Sequence, residues 1–276
     1  MSRPFASVSP LCRHLPRVFA FLFFLLPGVL SAAGGEGLYE AARPVADQGE
    51  DARGEALREG LAEVLIRVTG DARIAAREGA REVLADPLSL AQQYRYERDS
   101  VGPGLRLHMV FDPAALEALL RRHALPVWGR ERPETLVWLA VDDGRRRLVS
   151  GEDGERYARR LERAAERRGI PLLFPLLDLE ERRAVTAADL WGGFDDAARE
   201  ASHRYGAASV LLVRLQREQG VWRGRWTWYA FDETRSWATE GKLGRALSAG
   251  VDELADALAG RFVVAGGAPE DVRLAV

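Results

Sequence analysis

The chain has 276 residues, with 39 Lys and Arg against 41 Asp and Glu and a formal net charge of −2 when histidine is neutral. That balance lacks the clustered excess of positive charge that nucleic-acid phosphates require, and a single cysteine excludes an internal disulfide. At 47% hydrophobic residues the chain can bury one large core or two smaller ones.

The amino-terminal stretch predicts export. Arg3, Arg13 and Arg17 lead into an apolar run, Val18 to Leu30, broken by Pro27 and Gly28 and followed by the small residues Ser31 to Ala33. The run is shorter than the roughly 20 residues of a membrane span, so residues 1–33 read as a cleavable signal peptide and the remainder as a periplasmic protein that is not integral to the membrane. Cys12 lies ahead of the apolar run, where it cannot be lipidated as a lipoprotein cysteine.

A strand is predicted in Leu38 to Gln48, ending near Pro44. A long amphipathic helix follows from about Glu50 to Thr69, with Ala52, Ala56, Leu57, Leu61, Val64, Leu65 and Val68 on one stripe and Gly70 as its stop. A second helical piece, Ala75 to Leu84, ends before Pro87. "QQYRYER" and "LRLHMVF" read as strands joined by "VGPG". Asp112 and Pro113 form a helix start, with Leu116, Leu119 and Leu120 on the buried side. Next comes "LPVWGRERPETLVWLAVDD" (Leu125 to Asp143), in which Arg130, Glu131, Arg132 and Pro133 read as connector material.

Beyond the connector, Thr135 to Val141 has the unbroken apolar character of a strand buried on both faces. A helix is predicted over Glu152 to Arg168, stopped by Gly169, and a second buried strand over Pro171 to Asp178. "WGGF" (Trp191 to Phe194) reads as either a lip or a turn into a helix from Asp195 to Tyr205. Ser209 to Gln216, "VWRGRWTWYAF" and "SWATEG" continue as strands of a meander. Leu243, Leu247, Val251, Leu254, Leu258 and Phe262 mark a final helix. The predicted fold is α+β / α/β. A small N-terminal α+β domain (34–129) precedes a C-terminal α/β sandwich with a mixed sheet (134–264, order β-α-β-α-β-β-β-α), and residues 265–276 form a loose tail.

The spacings of common catalytic motifs are missing from the sequence: there is no G-x-S-x-G, no H-E-x-x-H and no phosphate loop. His108, His123 and His203 have no second ligand at metal spacing, so they read as structural, and no cofactor or metal is expected. Two features stand out. Asp142 and Asp143 close a buried strand at the end where α/β sheets bind ligands, although adjacent side chains on a strand point to opposite faces. Trp222, Trp226 and Trp228 share one face of a strand, with Trp237 nearby, either as an exposed platform for a sugar ring or partner or as core beneath the last helix. Val221, Arg223, Arg225, Thr227 and Tyr229 share the opposite face.

"RPVADQ", "LREGLAEVLIRVTGD" and "LPVWGRERPETLVWLAVDD" together resemble an exported bacterial family catalogued as domain of unknown function 2066. That resemblance implies a Gram-negative envelope protein without an assigned activity. At the level of element order, the second half is similar to the amino-terminal domain of the Tol-system periplasmic protein, to the curli secretion factor and to outer-membrane activators of peptidoglycan synthases. The first half is similar to the amino-terminal domain of a flagellar T-ring component. These likenesses imply binding and scaffolding. The expectation is a non-enzymatic periplasmic binding or adaptor module whose partner is another envelope protein or the cell wall. The alternatives are an envelope hydrolase acting on glycan or peptide, and a small-molecule binder.

Overall fold

Helix α1 (Glu50–Thr69) forms as its spacing predicts: Ala56, Leu57, Leu61, Val64, Leu65 and Val68 are all buried. Glu50 and Asp51 occupy its first turn, where the helix dipole favours acids. It ends at Gly70, left-handed at φ 72°, whose N–H donates to the Ile66 carbonyl. Strands β1 (Glu40–Val45), β2 (Ala91–Arg98) and β3 (Leu105–Phe111) form an antiparallel sheet in the order β1-β3-β2. Leu107, Met109 and Phe111 face the core. A Cβ at Gly60 would stand 2.2 Å from the Met109 sulfur, so this glycine lets α1 lie close on β3. A 3₁₀ turn (Ile74–Ala76) and helices α2 (Glu78–Val83), α3 (Pro87–Leu90) and α4 (Pro113–Arg122) complete this half. Asp112 caps α4 by accepting from the Ala114 and Ala115 N–H groups.

The second half is built on a larger sheet. Strands β4 (Thr135–Asp142), β5 (Arg146–Val149), β6 (Leu172–Leu173), β7 (Ser209–Glu218), β8 (Val221–Ala230) and β9 (Glu233–Gly241) are arranged β5-β4-β7-β8-β9, with β6 also beside β4. The sheet is mixed: β4 runs parallel to β6 and β7, and the other pairs are antiparallel. On one face Val137, Leu139, Val141, Leu211, Val213 and Leu215 pack under helices α5 (Glu155–Arg168) and α9 (Leu243–Phe262). On the other, Leu136, Trp138 and Leu212 pack under α6 (Leu179–Ala184), α7 (Ala187–Gly192) and α8 (Asp195–Ser202). This α/β/α layering is why β4 is buried along its length.

In this computed structural model the described residues are 37–98, 104–129, 132–151, 155–230 and 233–262, and residues 33–276 group as one compact unit. The signal peptide expected at 1–33 and the loose tail at 265–276 lie outside the described residues. Among those described, no helix is long and apolar enough to cross a membrane.

The two sheets meet at the carboxyl end of α1. Arg132 donates to the Arg67 carbonyl at 2.7 Å, Arg168 to the Gly70 carbonyl at 3.1 Å, and the Trp128 N–H to the Val68 carbonyl at 2.6 Å. Arg168 also reaches Asp252 and Asp256 of α9 at 2.7 and 2.5 Å. One guanidinium thus ties three helices.

The fold class is the expected one, with four local corrections. Arg132 is a buried residue (8% exposed) lying 3.9 Å over the Trp128 ring rather than surface connector. The strand expected over Pro171 to Asp178 shrinks to β6, because Pro171 and Pro175 have no N–H to donate. Strand β5 has no apolar alternation. Its pairing is supported by Arg146–Asp142 and Arg147–Asp143 contacts around the left-handed Gly144. Helices α6 and α7 are extra, α7 being held by a capping box between Thr186 and Asp189.

Two substitutions test this packing. Arg168→Ala is expected to lose roughly 2–3 kcal/mol in urea unfolding, by orphaning a buried carbonyl and removing a buried guanidinium together with its packing and its two half-exposed ion pairs. Asn at the half-exposed Asp252 and Asp256 should cost less than about 1 kcal/mol. A wild-type midpoint for Arg168→Ala would show that the clasp contributes nothing. In α9, Gly250→Ala should gain about 1 kcal/mol by helix propensity, but its Cβ would meet the Trp226 ring at 2.0 Å. The overpacking cost of about 1–3 kcal/mol should win, so a lowered melting temperature is expected.

Candidate functional site

The tryptophan row is core. Trp222, Trp226 and Trp228 are 4%, 1% and 0% exposed and lie in the layer covered by α5 and α9. Trp226 stacks on Trp237 with centroids 6.1 Å apart, and its indole N–H donates to Thr239 at 2.9 Å. Trp222 meets Tyr157 edge to face. The exposed-platform reading of these indoles is therefore corrected: α9 contributes Leu243, Leu247, Val251 and Leu254 to the same core, and the indoles supply the area that this leucine face buries.

The two aspartates diverge as strand geometry requires. Asp143 points toward α5, where Arg147 binds it at 2.7 and 3.2 Å and the Tyr157 hydroxyl donates to it at 2.5 Å. These hydrogen bonds, Arg147 first and Tyr157 second, hold its carboxyl well below the usual range. Burial, then the neighbouring Asp143, pushes the Tyr157 hydroxyl up. Asp142 points to the opposite face and accepts from Arg146 at 2.9 Å. The pair does not converge on one ion, and among the described residues no group of three His, Cys, Asp or Glu side chains could hold a metal. His108, His123 and His203 each approach a single acid, respectively Glu97, Glu82 and Glu200.

Asp142 nevertheless belongs to a larger constellation that the sequence did not disclose. Strand register places Arg146, Asp142, Gln216, Arg223 and Glu240 in one row across β5-β4-β7-β8-β9. The adjoining row on the same face contains Arg214 and Arg225. Cross-strand partners share a face at about 5 Å, so this is a continuous polar band at the carboxyl ends of the parallel neighbours β4 and β7. Open α/β sheets bind ligands at such ends.

A groove of about 480 Å³ lies over the band, lined by Trp191, Arg214, Gln216, Arg223, Arg225 and Thr239 among others. Trp191 comes from the last turn of α7, which Gly193 stops at φ 80°, so "WGGF" is a helix end leading into α8, with Phe194 exposed. The guanidiniums of Arg146 and Arg225 lie 5.1 and 5.3 Å from the Trp191 ring centre. Arg146 is held by Asp142, and Arg223 by Glu218 and Glu240. Buried Arg214 binds Asp195 and the Leu190 carbonyl and donates to Thr227 at 3.2 Å. Tyr229 donates to the same Asp195 at 2.8 Å, and burial followed by that carboxylate pushes its hydroxyl up to about 12. Arg225 alone of these four has no acid beside it among the described residues. Alternation along β8 and β7 put Arg223, Arg225 and Gln216 on the face opposite the indoles. Their alignment with Trp191 depends on register and on α7, neither of which could be read from spacing.

A second cleft, of about 520 Å³, runs between β1 and the end of α5 and is lined by Glu63, Arg67, His108 and Glu166. Both of its arginines have partners: Arg67 binds Glu63 and donates to the Gly37 and Glu40 carbonyls, and Arg167 donates to Ser248.

Compared with known families, residues 32–129 match the model of a domain of unknown function, DUF8605. This corrects the resemblance to domain of unknown function 2066. The stretches that carried it are the buried stripe and glycine stop of α1 and the entry into β4, patterns that any helix or strand in those positions would show. The comparison with curated proteins gave no match. Among solved structures, a formyltetrahydrofolate deformylase from Pseudomonas putida KT2440 aligns at 11% identity over 67% of this chain and 89% of that one. Its TM-score of 0.19 is too low to bear on fold or function.

The Asp143 contacts predict a pH effect. Its folded pKa lies below the unfolded value of about 3.9, so its stabilisation is complete above about pH 4 and is lost as pH falls through the folded value. Asp143→Asn should lower stability at neutral pH and converge with wild type in strong acid. Parallel pH–stability curves would refute the assignment.

Proposed function

We propose that this chain is an exported, periplasmic, non-enzymatic binding or adaptor module of the cell envelope, which grips an acidic group of a partner in the groove beside Trp191. The observation that carries the reading is Arg225, set against an indole at the carboxyl ends of β4 and β7 while its arginine neighbours each hold a carboxylate. A guanidinium stays protonated far above neutral pH and cannot exchange protons with a substrate there. It offers instead a planar fork of donors matched to a carboxylate. Contact with the ring restrains that fork before the partner arrives, reducing the ordering cost of binding. Export is supported by the arginines, apolar run and small residues of the first 33 positions.

A photo-crosslinking residue in place of Ala238, which lines the groove across from Arg225, tests both parts in the tagged chain in cells. One dominant protein adduct, absent when the probe is moved to Arg81 on α2 and abolished by Gln216→Ala with Trp191→Ala, is the expected result. Recovery of the chain uncleaved in the cytoplasm would refute export, and equal adducts from both probe positions would refute the groove.

A further inference from the structure

Helix α5 divides its solvent side by charge. Arg156, Arg159, Arg160, Arg163 and Arg167 are all exposed, and at 100° per residue they fall within an arc of about 100°. They span about 16 Å along the axis. Glu162 and Glu166 fall on the other flank, with Glu166 turned to the cleft beside Arg67. The arginine flank borders α9. Arg167 donates to Ser248 at 2.8 Å, and Arg160 reaches within 3.9 Å of where a Cβ on Gly244 would stand. Lys242, just before α9, and Arg245, in its first turn, are exposed cations as well.

We propose that this arginine stripe is a docking surface for an anionic phospholipid bilayer, which α5 meets side-on through lipid phosphates. Three observations favour lipid over a protein partner. The row runs along one side of a helix for about 16 Å, which suits a flat lattice of charges better than a pocketed surface. Guanidinium forks match phosphate oxygens in paired hydrogen bonds. Protein interfaces are anchored by aromatic or apolar residues at their centre, yet among the described residues the large exposed apolar side chains, Leu88, Tyr94, Leu176, Leu179 and Phe194, belong to segments other than α5 and α9. A band of cations with no apolar anchor binds by summed electrostatics, each residue contributing modestly and the whole weakening with salt. The proposal is independent of the groove beside Trp191, which opens on the opposite face of the sheet.

The test is vesicle co-flotation of the compact unit 33–276, which lacks the amino-terminal apolar run and its own lipid affinity. Vesicles of phosphatidylglycerol in phosphatidylethanolamine are compared with pure phosphatidylcholine at low and raised salt. Binding is expected only to the anionic vesicles, falling as salt rises. Arg160→Gln with Arg163→Gln should weaken it about thirty-fold. Arg81→Gln with Arg122→Gln, which removes the same charge from the first half, should leave it within about three-fold. Circular dichroism melting of both variants confirms that they fold. Absence of binding to the anionic vesicles would overturn the proposal. So would equal losses in the two double variants, which would reduce the effect to net charge, or tighter retention on polyglutamate than on vesicles, which would assign the stripe to an acidic polypeptide.

Discussion

The last turn of α1 is where the structure is joined. A helix leaves its final carbonyls without intrahelical partners, and here those of Arg67, Val68 and Gly70 are supplied by Arg132 and the Trp128 N–H from the segment that leads into β4 and by Arg168 from α5. Cations at a helix carboxyl terminus are also favoured by its dipole. The geometry binds both sides: α1 cannot end in buried surroundings without those donors, and Arg132 and Arg168 cannot be buried without acceptors. Burial pushes Arg132 down to about 10, still well above neutrality, so it remains charged at the joint and leans on the Trp128 ring and two carbonyls. Two sheets of different size, each with its own core, are joined through these hydrogen bonds at the end of α1.

From that joint β4 sets the rest. It is covered on both faces and apolar on both, whereas β8, beyond β7, presents a different chemistry on each face. Trp222, Trp226 and Trp228 go to the α9 side, while Arg223 and Arg225 go to the side where short helices leave part of the sheet open. The glycines of this layer mark how closely the indoles are seated: a Cβ at Gly224 would meet the Trp226 ring nitrogen at 2.6 Å, and one at Gly250 the same ring from α9. The open part of the other face is polar because α7 ends at Gly193 before reaching β8 and β9, so that Trp191 overhangs the band rather than sealing it.

Elements governed by local periodicity were legible in the sequence. The bounds of α1, the Asp112 cap, the meander and the leucine face of α9 all follow from spacing and capping chemistry. What was not legible depended on partners distant in sequence. Strand β5 is half arginine, and its pairing is supported by Asp142 and Asp143, which bind those two arginines from the end of β4 and the turn after it. Arg132 resembled a linker residue until α1 supplied its acceptors. The polar band needs five strands in register, and no single stretch contains it. The α5 stripe is the opposite case: the spacing 156, 159, 160, 163, 167 was available from the outset but hidden behind a net charge near zero, which averages over faces that never mix.

That contrast follows from a composition in which Lys242 is the single lysine and arginine carries the remaining positive charge. Lysine, a compact and strongly hydrated charge, pays heavily for burial, whereas a guanidinium can spread its donors over several carbonyls and rings. The same side chain therefore serves as an internal fastener at Arg67, Arg132, Arg168 and Arg214, where carbonyls and acids surround it, and as an exposed cation along the outer side of α5. Counting charges cannot separate these roles. The number of fixed acceptors around each guanidinium does, and by that measure Arg225, set against the Trp191 ring with no acid beside it among the described residues, differs from its arginine neighbours in the groove.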